Sequence, residues 1–143
     1  MSGQFNSNDE LQLLNSCTIK TPKWTFDGIT VNAKCVKVYD GDSATFAFLP
    51  PGSSAPFRFA CRCLGYNSAE IKSKDASEKA AAVRARDHLT NRILHKIVKL
   101  KLGAHDKYGR ILVDIYLDGV HINEEMVNLH YGKPYDGTGP KLY

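Results

Sequence analysis

The sequence predicts a mainly β fold of the α+β class, a barrel of five strands with one helix between the third and fourth strands and a short helix near the end. Apolar residues alternate along five short segments, and a helical spacing of three and four follows the third. The 143 residues, 43% of them hydrophobic, suffice for one core. We expect one domain at residues 27–143, preceded by a flexible N-terminal extension at residues 1–26.

The first two strands are predicted to flank a tight turn. Alternation from Ile29 to Tyr39 changes phase after Cys35, which indicates a β-bulge. Asp40-Gly41-Asp42 then forms a turn, and a second strand follows from Ser43 to Leu49. These strands and the third, which begins near Phe57, should form a meander.

The third strand carries the first candidate functional residue. Its apolar side chains alternate and should face the core together, namely Phe57, Phe59, Cys61 and Cys63. We expect the two cysteines to pack in the core rather than to bind a metal, because no His or Cys pair follows at a suitable spacing. Arg62 falls on the other face, so we expect it to project from the core and to be free to meet a ligand.

The second half of the chain supplies two helices and two strands. An amphipathic helix is predicted from about Ser77, its N-cap, to Leu94, and a short helix from about Asn123 to Leu129. Alternating residues predict strands at 98–102 and 111–117. This order of elements is that of an OB-type Greek-key barrel, whose groove commonly holds oligonucleotides.

Charge and composition narrow the class of partner. A net charge of +4 favours a polyanion such as nucleic acid, although the excess is modest. The start of the chain lacks the features of a secretory signal, and no apolar run has membrane-spanning length. The four cysteines lack disulfide-scaffold density. We therefore expect an intracellular, cytoplasmic protein with reduced cysteines and no membrane association.

Two short segments offer residue types suited to phosphodiester chemistry. Arg62 through Glu70 combines an arginine with a carboxylate, and Asp106 through Arg110 combines a lysine, a tyrosine and an arginine. A carboxylate can take a proton from attacking water, and guanidinium groups pair with phosphate oxygens. Each segment also has a plain alternative, since the first could form a surface ion pair and the second a polar hairpin.

Taken in order, these segments resemble the staphylococcal nuclease (thermonuclease) family, over roughly Val31 to Tyr135. The turn within Val38–Ser43 resembles the family's Asp-Gly-Asp-Thr, and Arg62–Glu70 resembles its Arg-(x)4-Asp-Thr-Pro-Glu segment. Asp106–Arg110 matches its Asp-Lys-Tyr-Gly-Arg signature in every residue, and Asn123–Val127 resembles the start of its last conserved helix.

The resemblance implies a metal-assisted endonuclease that cuts DNA and RNA with little sequence preference, single strands being the preferred form. Glu70 takes the position of the general base, and Arg62 and Arg110 take those of the phosphate-binding arginines. The resemblance also implies substrate-binding residues, namely Lys107, Tyr108 and, by a looser alignment, Tyr135.

The implied cofactor is a divalent metal, with Ca²⁺ the expected ion. Asp42 takes the position of a calcium-binding carboxylate, Asn67 stands where the family has a second metal-binding aspartate, and Ser68 replaces a threonine that binds metal through its carbonyl. Since an amide lacks the carboxylate's charge, we expect weaker calcium binding or a different divalent ion. Ala69 replaces a proline, which should leave the approach to Glu70 less rigid.

Two further readings stay open. Asn67 mildly favours a catalytically silent nucleic-acid-binding barrel, and a protein-interaction module would show no salt-dependent affinity for polynucleotides. The chain after Tyr135 is too short for the family's C-terminal helix, so we expect some barrel surface to be covered by the extension around Trp24 or by a second subunit in a homodimer.

Overall fold

The computed structural model describes residues 7–136, which contain three helices and eight strands. The helices are α1 (Ser7–Asn15), α2 (Ala76–Ile93) and α3 (Ile122–Asn128). The strands are β1 (Thr30–Asp40), β2 (Ser43–Phe48), β3 (Phe57–Cys63), β4 (Tyr66–Asn67), β5 (Ile97–His105), β6 (Ile111–Leu117), β7 (Val120–His121) and β8 (Lys133–Pro134).

Five of the strands close into a mixed β-barrel, which confirms the predicted OB-type α+β fold. The strands neighbour one another in the order β3-β2-β1-β5-β6, and all of these pairs are antiparallel. A parallel pairing of β3 with β6, from Cys61–Ile111 to Cys63–Val113, closes the barrel. We call this pairing the seam. α2 lies between β3 and β5 in the chain, as predicted.

The bulge predicted in β1 is present. The register between β1 and β2 shifts between Cys35 and Lys37 and again between Val38 and Asp40. The first half of β1 pairs with β5 and the second half with β2. Because a bulge bends its strand, β1 can serve both neighbours and deliver the Asp40-Gly41-Asp42 turn to the barrel rim.

The cap of α2 differs from the prediction, since Asp75 rather than Ser77 is the N-cap residue. An Asp75 carboxylate oxygen accepts a hydrogen bond from the backbone N–H of Glu78 at 2.9 Å. This carboxylate oxygen satisfies one of the otherwise unpaired donors of the first turn. The buried face of α2 is the predicted apolar stripe, namely Ala82, Ala85, Leu89 and Ile93.

The N-terminal region holds more structure than its sequence pattern suggests. α1 lies in the predicted extension and buries none of its residues. Phe26, also in that stretch, is buried in the core against Phe48 and Phe59, while Trp24 is 71% exposed and touches Phe26 edge-on. Barrel packing thus begins at Phe26. Residues 1–6 of the predicted extension and 137–143 of the predicted domain lie outside the described residues, and the extension's flexibility stays a prediction.

β3 follows the predicted alternation only in part, since Phe57 is exposed and Arg62 is buried. Cys61 and Cys63 are buried as free thiols in the core, and burial raises the pKa of Cys63 to about 12. Phe57, predicted to face the core, is 56% exposed. β6 pairs with β3 only at Cys61–Cys63, so the start of β3 has no strand on that side. No helix within residues 7–136 is long and apolar enough to cross a bilayer.

Replacing Gly41 with alanine is expected to destabilise the protein by about 1–3 kcal/mol through overpacking. A Cβ atom at this position would lie 2.6 Å from Ala85 Cβ on α2 and 3.0 Å from Ser68 Cβ. Chemical denaturation would measure the change in the free energy of unfolding. Equal stability of Gly41→Ala and wild type would contradict the expected crowding.

Candidate functional site

Three separate segments meet at one end of the seam. The register pairs Ser43 of β2 with Arg62 of β3, and Arg62 with Leu112 of β6. The Asp40-Gly41-Asp42 turn comes directly before β2, and the Asp106–Arg110 loop comes directly before β6. Closing the barrel therefore places the turn, the end of β3 and the loop side by side.

A chain of polar contacts connects the two predicted phosphate-binding arginines. Arg110 Nη1 donates to Ser43 Oγ at 3.5 Å, and Ser43 Oγ donates to Asp42 Oδ1 at 3.0 Å. The other Asp42 oxygen accepts from Arg62 Nη2 at 3.4 Å. Ser43, which was not predicted as a site residue, joins the two halves of this network.

Arg62 does not project freely from the barrel, so the expectation of a free side chain is wrong. Arg62 is 7% exposed, and its Nη2 donates to Asn67 Oδ1 as well as to Asp42 Oδ2. The end of β3 has β2 on one side and β6 on the other, and Asn67 packs nearby. Arg62 turns inward because two oxygen acceptors, Asp42 Oδ2 and Asn67 Oδ1, lie there.

Two donors of this pair have no acceptor among the described residues. Arg62 Nε and Asn67 Nδ2 are both buried and lack a hydrogen-bond partner within residues 7–136. Buried polar groups of folded proteins are almost always hydrogen-bonded, so two neighbouring buried donors without an acceptor are unusual.

The segment that carries Glu70 is fastened to the β1–β2 turn. The backbone N–H of Ser68 donates to Asp42 Oδ2 at 3.1 Å, and that of Ile71 donates to Asp40 Oδ1 at 3.2 Å. Glu70 lies between these two anchors and is exposed. Asp40 was missed as a site residue, although its place in the same Asp-Gly-Asp turn was a signal that could have found it.

The Asp106–Arg110 loop is held by its own aspartate. Asp106 accepts from the backbone N–H groups of Tyr108 and Arg110, each at 2.9 Å, and from Arg110 Nε at 2.8 Å. Burial alone would raise the pKa of Asp106, but these hydrogen bonds outweigh it and hold the pKa below its usual value. Gly109 supplies the turn with φ +86. The loop is thus a rigid support for Arg110.

Aromatic rings accompany the cationic side chains. The Tyr108 ring is 73% exposed, and both Lys107 Nζ and Arg110 Cζ lie over it, at 5.2 Å and 5.5 Å from its centroid. Tyr135 lies near Arg62, with 5.8 Å between its ring centroid and Arg62 Cζ. The two-residue pairing of β4 with β8 and a 2.9 Å bond from Tyr135 N to Gly65 O hold it there. All three predicted substrate-binding residues therefore flank the two arginines.

The side chains at the predicted metal position do not fit a tightly held divalent cation. Both oxygens of Asp42 accept hydrogen bonds, and the oxygen of Asn67 faces the Arg62 guanidinium. In the described part of the chain, no three or more His, Cys, Asp or Glu side chains are grouped so that they could hold a metal ion. The positive charge among these oxygens is that of Arg62. Calcium binding stays a prediction.

A closed OB-type barrel with two arginines at one rim suits a polyanionic ligand such as an oligonucleotide. The family model described as staphylococcal nuclease homologue matches residues 61–135, just over half of the chain, and the chain belongs to this family. Domains of the family act on nucleic acids. The match contains Arg62, Asn67, Glu70 and Arg110, while the Asp42 turn precedes it. A search of curated proteins finds no match.

Proposed function

We propose that this protein is a nuclease that hydrolyses the phosphodiester bonds of DNA and RNA, preferentially in single strands. The observation that carries the proposal is the contact chain from Arg110 through Ser43 and Asp42 to Arg62, with the Glu70 segment fastened to the same turn. Family membership supports the same class of substrate.

Glu70 is the proposed general base. Water is a weak nucleophile toward an anionic diester, and a carboxylate that takes its proton contributes about 10²–10⁴-fold to the rate. The water oxygen then bonds to phosphorus while the bond to the leaving oxygen breaks, and that oxygen takes up a proton from solvent. Glu70 suits this role because it is exposed to solvent and lies between two backbone anchors, Ser68 and Ile71.

Arg110 and Arg62 are proposed to stabilise the charge that develops on the phosphoryl oxygens. A planar guanidinium can pair with two oxygens at once and holds them more strongly as negative charge grows. The Asp106 carboxylate orients Arg110 through its Nε, so its terminal nitrogens stay directed toward Ser43 and the rim. Arg62 presents a second positive charge on the other side of Asp42.

The exposed aromatic and basic side chains are proposed to hold the polynucleotide on either side of the reacting phosphate. Tyr108 offers a largely exposed ring, on which an unpaired base could stack, and Lys107 adds a charge beside it. Stacking needs bases that are not paired, which supports the preference for single strands.

A second candidate function is nucleic-acid binding without cleavage. It is favoured by Asn67 and by the inward position of Arg62, which together leave the site without a second metal-binding carboxylate and with one arginine already hydrogen-bonded. The two candidates share their ligand and differ only in turnover.

An assay on single-stranded DNA with Ca²⁺, Mg²⁺, Mn²⁺ or a chelator tests the proposal. We expect cleavage in at least one condition. We also expect an affinity for polynucleotides that falls steeply with salt, because binding releases the cations condensed on the nucleic acid. Salt-dependent binding without cleavage in any condition would replace the nuclease by the silent binder. The absence of both would overturn nucleic-acid binding and favour a protein-interaction module.

A further inference from the structure

Arg62 Nε and Asn67 Nδ2 are two buried donors that belong to side chains in direct contact. Within residues 7–136 neither has an acceptor, although Arg62 is only 7% exposed and Asn67 only 2%. The contact between the two side chains uses Arg62 Nη2 and Asn67 Oδ1, so it does not involve Arg62 Nε or Asn67 Nδ2. Two unsatisfied donors at one place call for an oxygen acceptor rather than for a cation.

The charges around this pair do not oppose an anionic acceptor. The Asp42 carboxylate balances the Arg62 guanidinium across a 3.4 Å contact, and the Asn67 amide adds no charge. A phosphate oxygen that reached these donors would meet a guanidinium N–H and a neutral amide N–H. Hydrogen bonds from a charged donor to a charged oxygen are stronger than neutral ones.

We propose that Arg62 and Asn67 form a phosphate-oxygen site that works without a divalent cation. The proposal rests on the proposed function in that the phosphate is one of a polynucleotide. It assigns to Asn67 a role opposite to that of a metal ligand, since its amide N–H group binds the oxygen directly.

The identity of residue 67 decides which ion the site accepts. An aspartate in its place would put a second carboxylate beside Asp42, so two negative charges would face the single charge of Arg62. That arrangement repels a phosphate oxygen and attracts a cation. Asparagine removes the second charge and supplies a donor in the same volume. One atom of residue 67, a nitrogen instead of an oxygen, therefore switches the site from cation to anion.

The surroundings limit what can enter. Both side chains are buried, and the Tyr135 ring lies over the guanidinium at 5.8 Å from Arg62 Cζ. With both donors buried, a single non-bridging phosphate oxygen is a better match in size than a planar base.

Binding of a fluorescent single-stranded DNA octamer, followed by anisotropy, tests this site. All proteins carry Glu70→Gln so that the octamer stays intact, and each is measured with a chelator and with Ca²⁺; inorganic phosphate serves as a competing probe. The protein with Asn67 should bind the octamer with the same affinity, within twofold, in chelator and in Ca²⁺. Asn67→Asp should bind at least tenfold more weakly in chelator and recover with Ca²⁺.

Two further variants separate the donor from the fold. Asn67→Leu removes the amide without adding charge and should bind about threefold to tenfold more weakly in chelator. Asn91→Asp places the same charge change on an exposed position of α2 and should stay within twofold. Thermal unfolding of each variant establishes that it is folded.

The outcomes are distinct. If the protein with Asn67 binds only when Ca²⁺ is present, or if Asn67→Leu or Asn67→Asp binds as tightly as Asn67 in chelator, the metal-independent site is wrong. The first of these results leaves the proposed nuclease intact. If no protein binds the octamer in either condition, polynucleotide recognition itself fails, and the proposed function falls with it.

Discussion

Replacing Glu70 with glutamine is expected to lower the rate of single-stranded DNA cleavage by about 10²–10⁴-fold. Glutamine has nearly the same shape but cannot take a proton from the attacking water. The residue is exposed, so the change should leave the fold intact. Because the amide affects only the chemical step, kcat should fall while KM stays within about threefold. Steady-state kinetics on a fluorogenic oligonucleotide would measure both constants.

The matched control for this variant is Glu10→Gln, which makes the same change on the exposed surface of α1. Its kcat should equal that of the wild type. A Glu70→Gln protein that kept more than a tenth of wild-type kcat would show that another group takes the proton. Asp40 would then be the next residue to test, since its carboxylate contacts the same segment.

Replacing Arg62 with lysine is expected to lower kcat/KM by about 10²-fold or more, as does removal of one donor from an oxyanion-binding site. The charge is kept, but a single ammonium group cannot reach Asp42, Asn67 and a phosphate oxygen in the way a planar fork can. Weakening these buried contacts should also lower the free energy of unfolding by about 1–3 kcal/mol. Kinetics and chemical denaturation would measure the two effects separately.

Arg84→Lys on the exposed side of α2 is the control for the second variant. It should change neither kcat/KM nor stability beyond experimental error. If Arg62→Lys kept a third or more of the wild-type kcat/KM, the forked geometry of Arg62 would not matter to catalysis, and its charge alone would suffice.

Much of the fold could be predicted from the sequence because a strand with one buried side shows alternating apolar and polar residues. The alternation in β5 and β6 and the phase change in β1 each reflect one buried side of a strand. The three site segments could be found as well, since their residue types stand close together in the chain. Neither the strand periodicity nor the grouping of residue types within a segment depends on how distant parts of the chain meet.

The surroundings of Arg62 could not be predicted in this way. Alternation assigns a residue to one of two faces and assumes that the second face meets solvent. At the end of β3 the seam with β6 and the packing of Asn67 enclose the second face too, so a charged side chain is buried. Ser43 was overlooked for a related reason, since its role depends on a contact with Arg110, which is distant in the chain.

The seam also ties the site to the order of folding. It joins β3 to β6 through residues about fifty positions apart, whereas β1, β2 and β3 pair with their neighbours in sequence. Long-range pairings must bear their loop-closure entropy before they gain stability, so they form late. Arg62 and Arg110 come together only across the seam, which like the β1–β5 pairing joins segments far apart in the chain. A partly folded chain with a complete meander would therefore hold every site residue and still have no site.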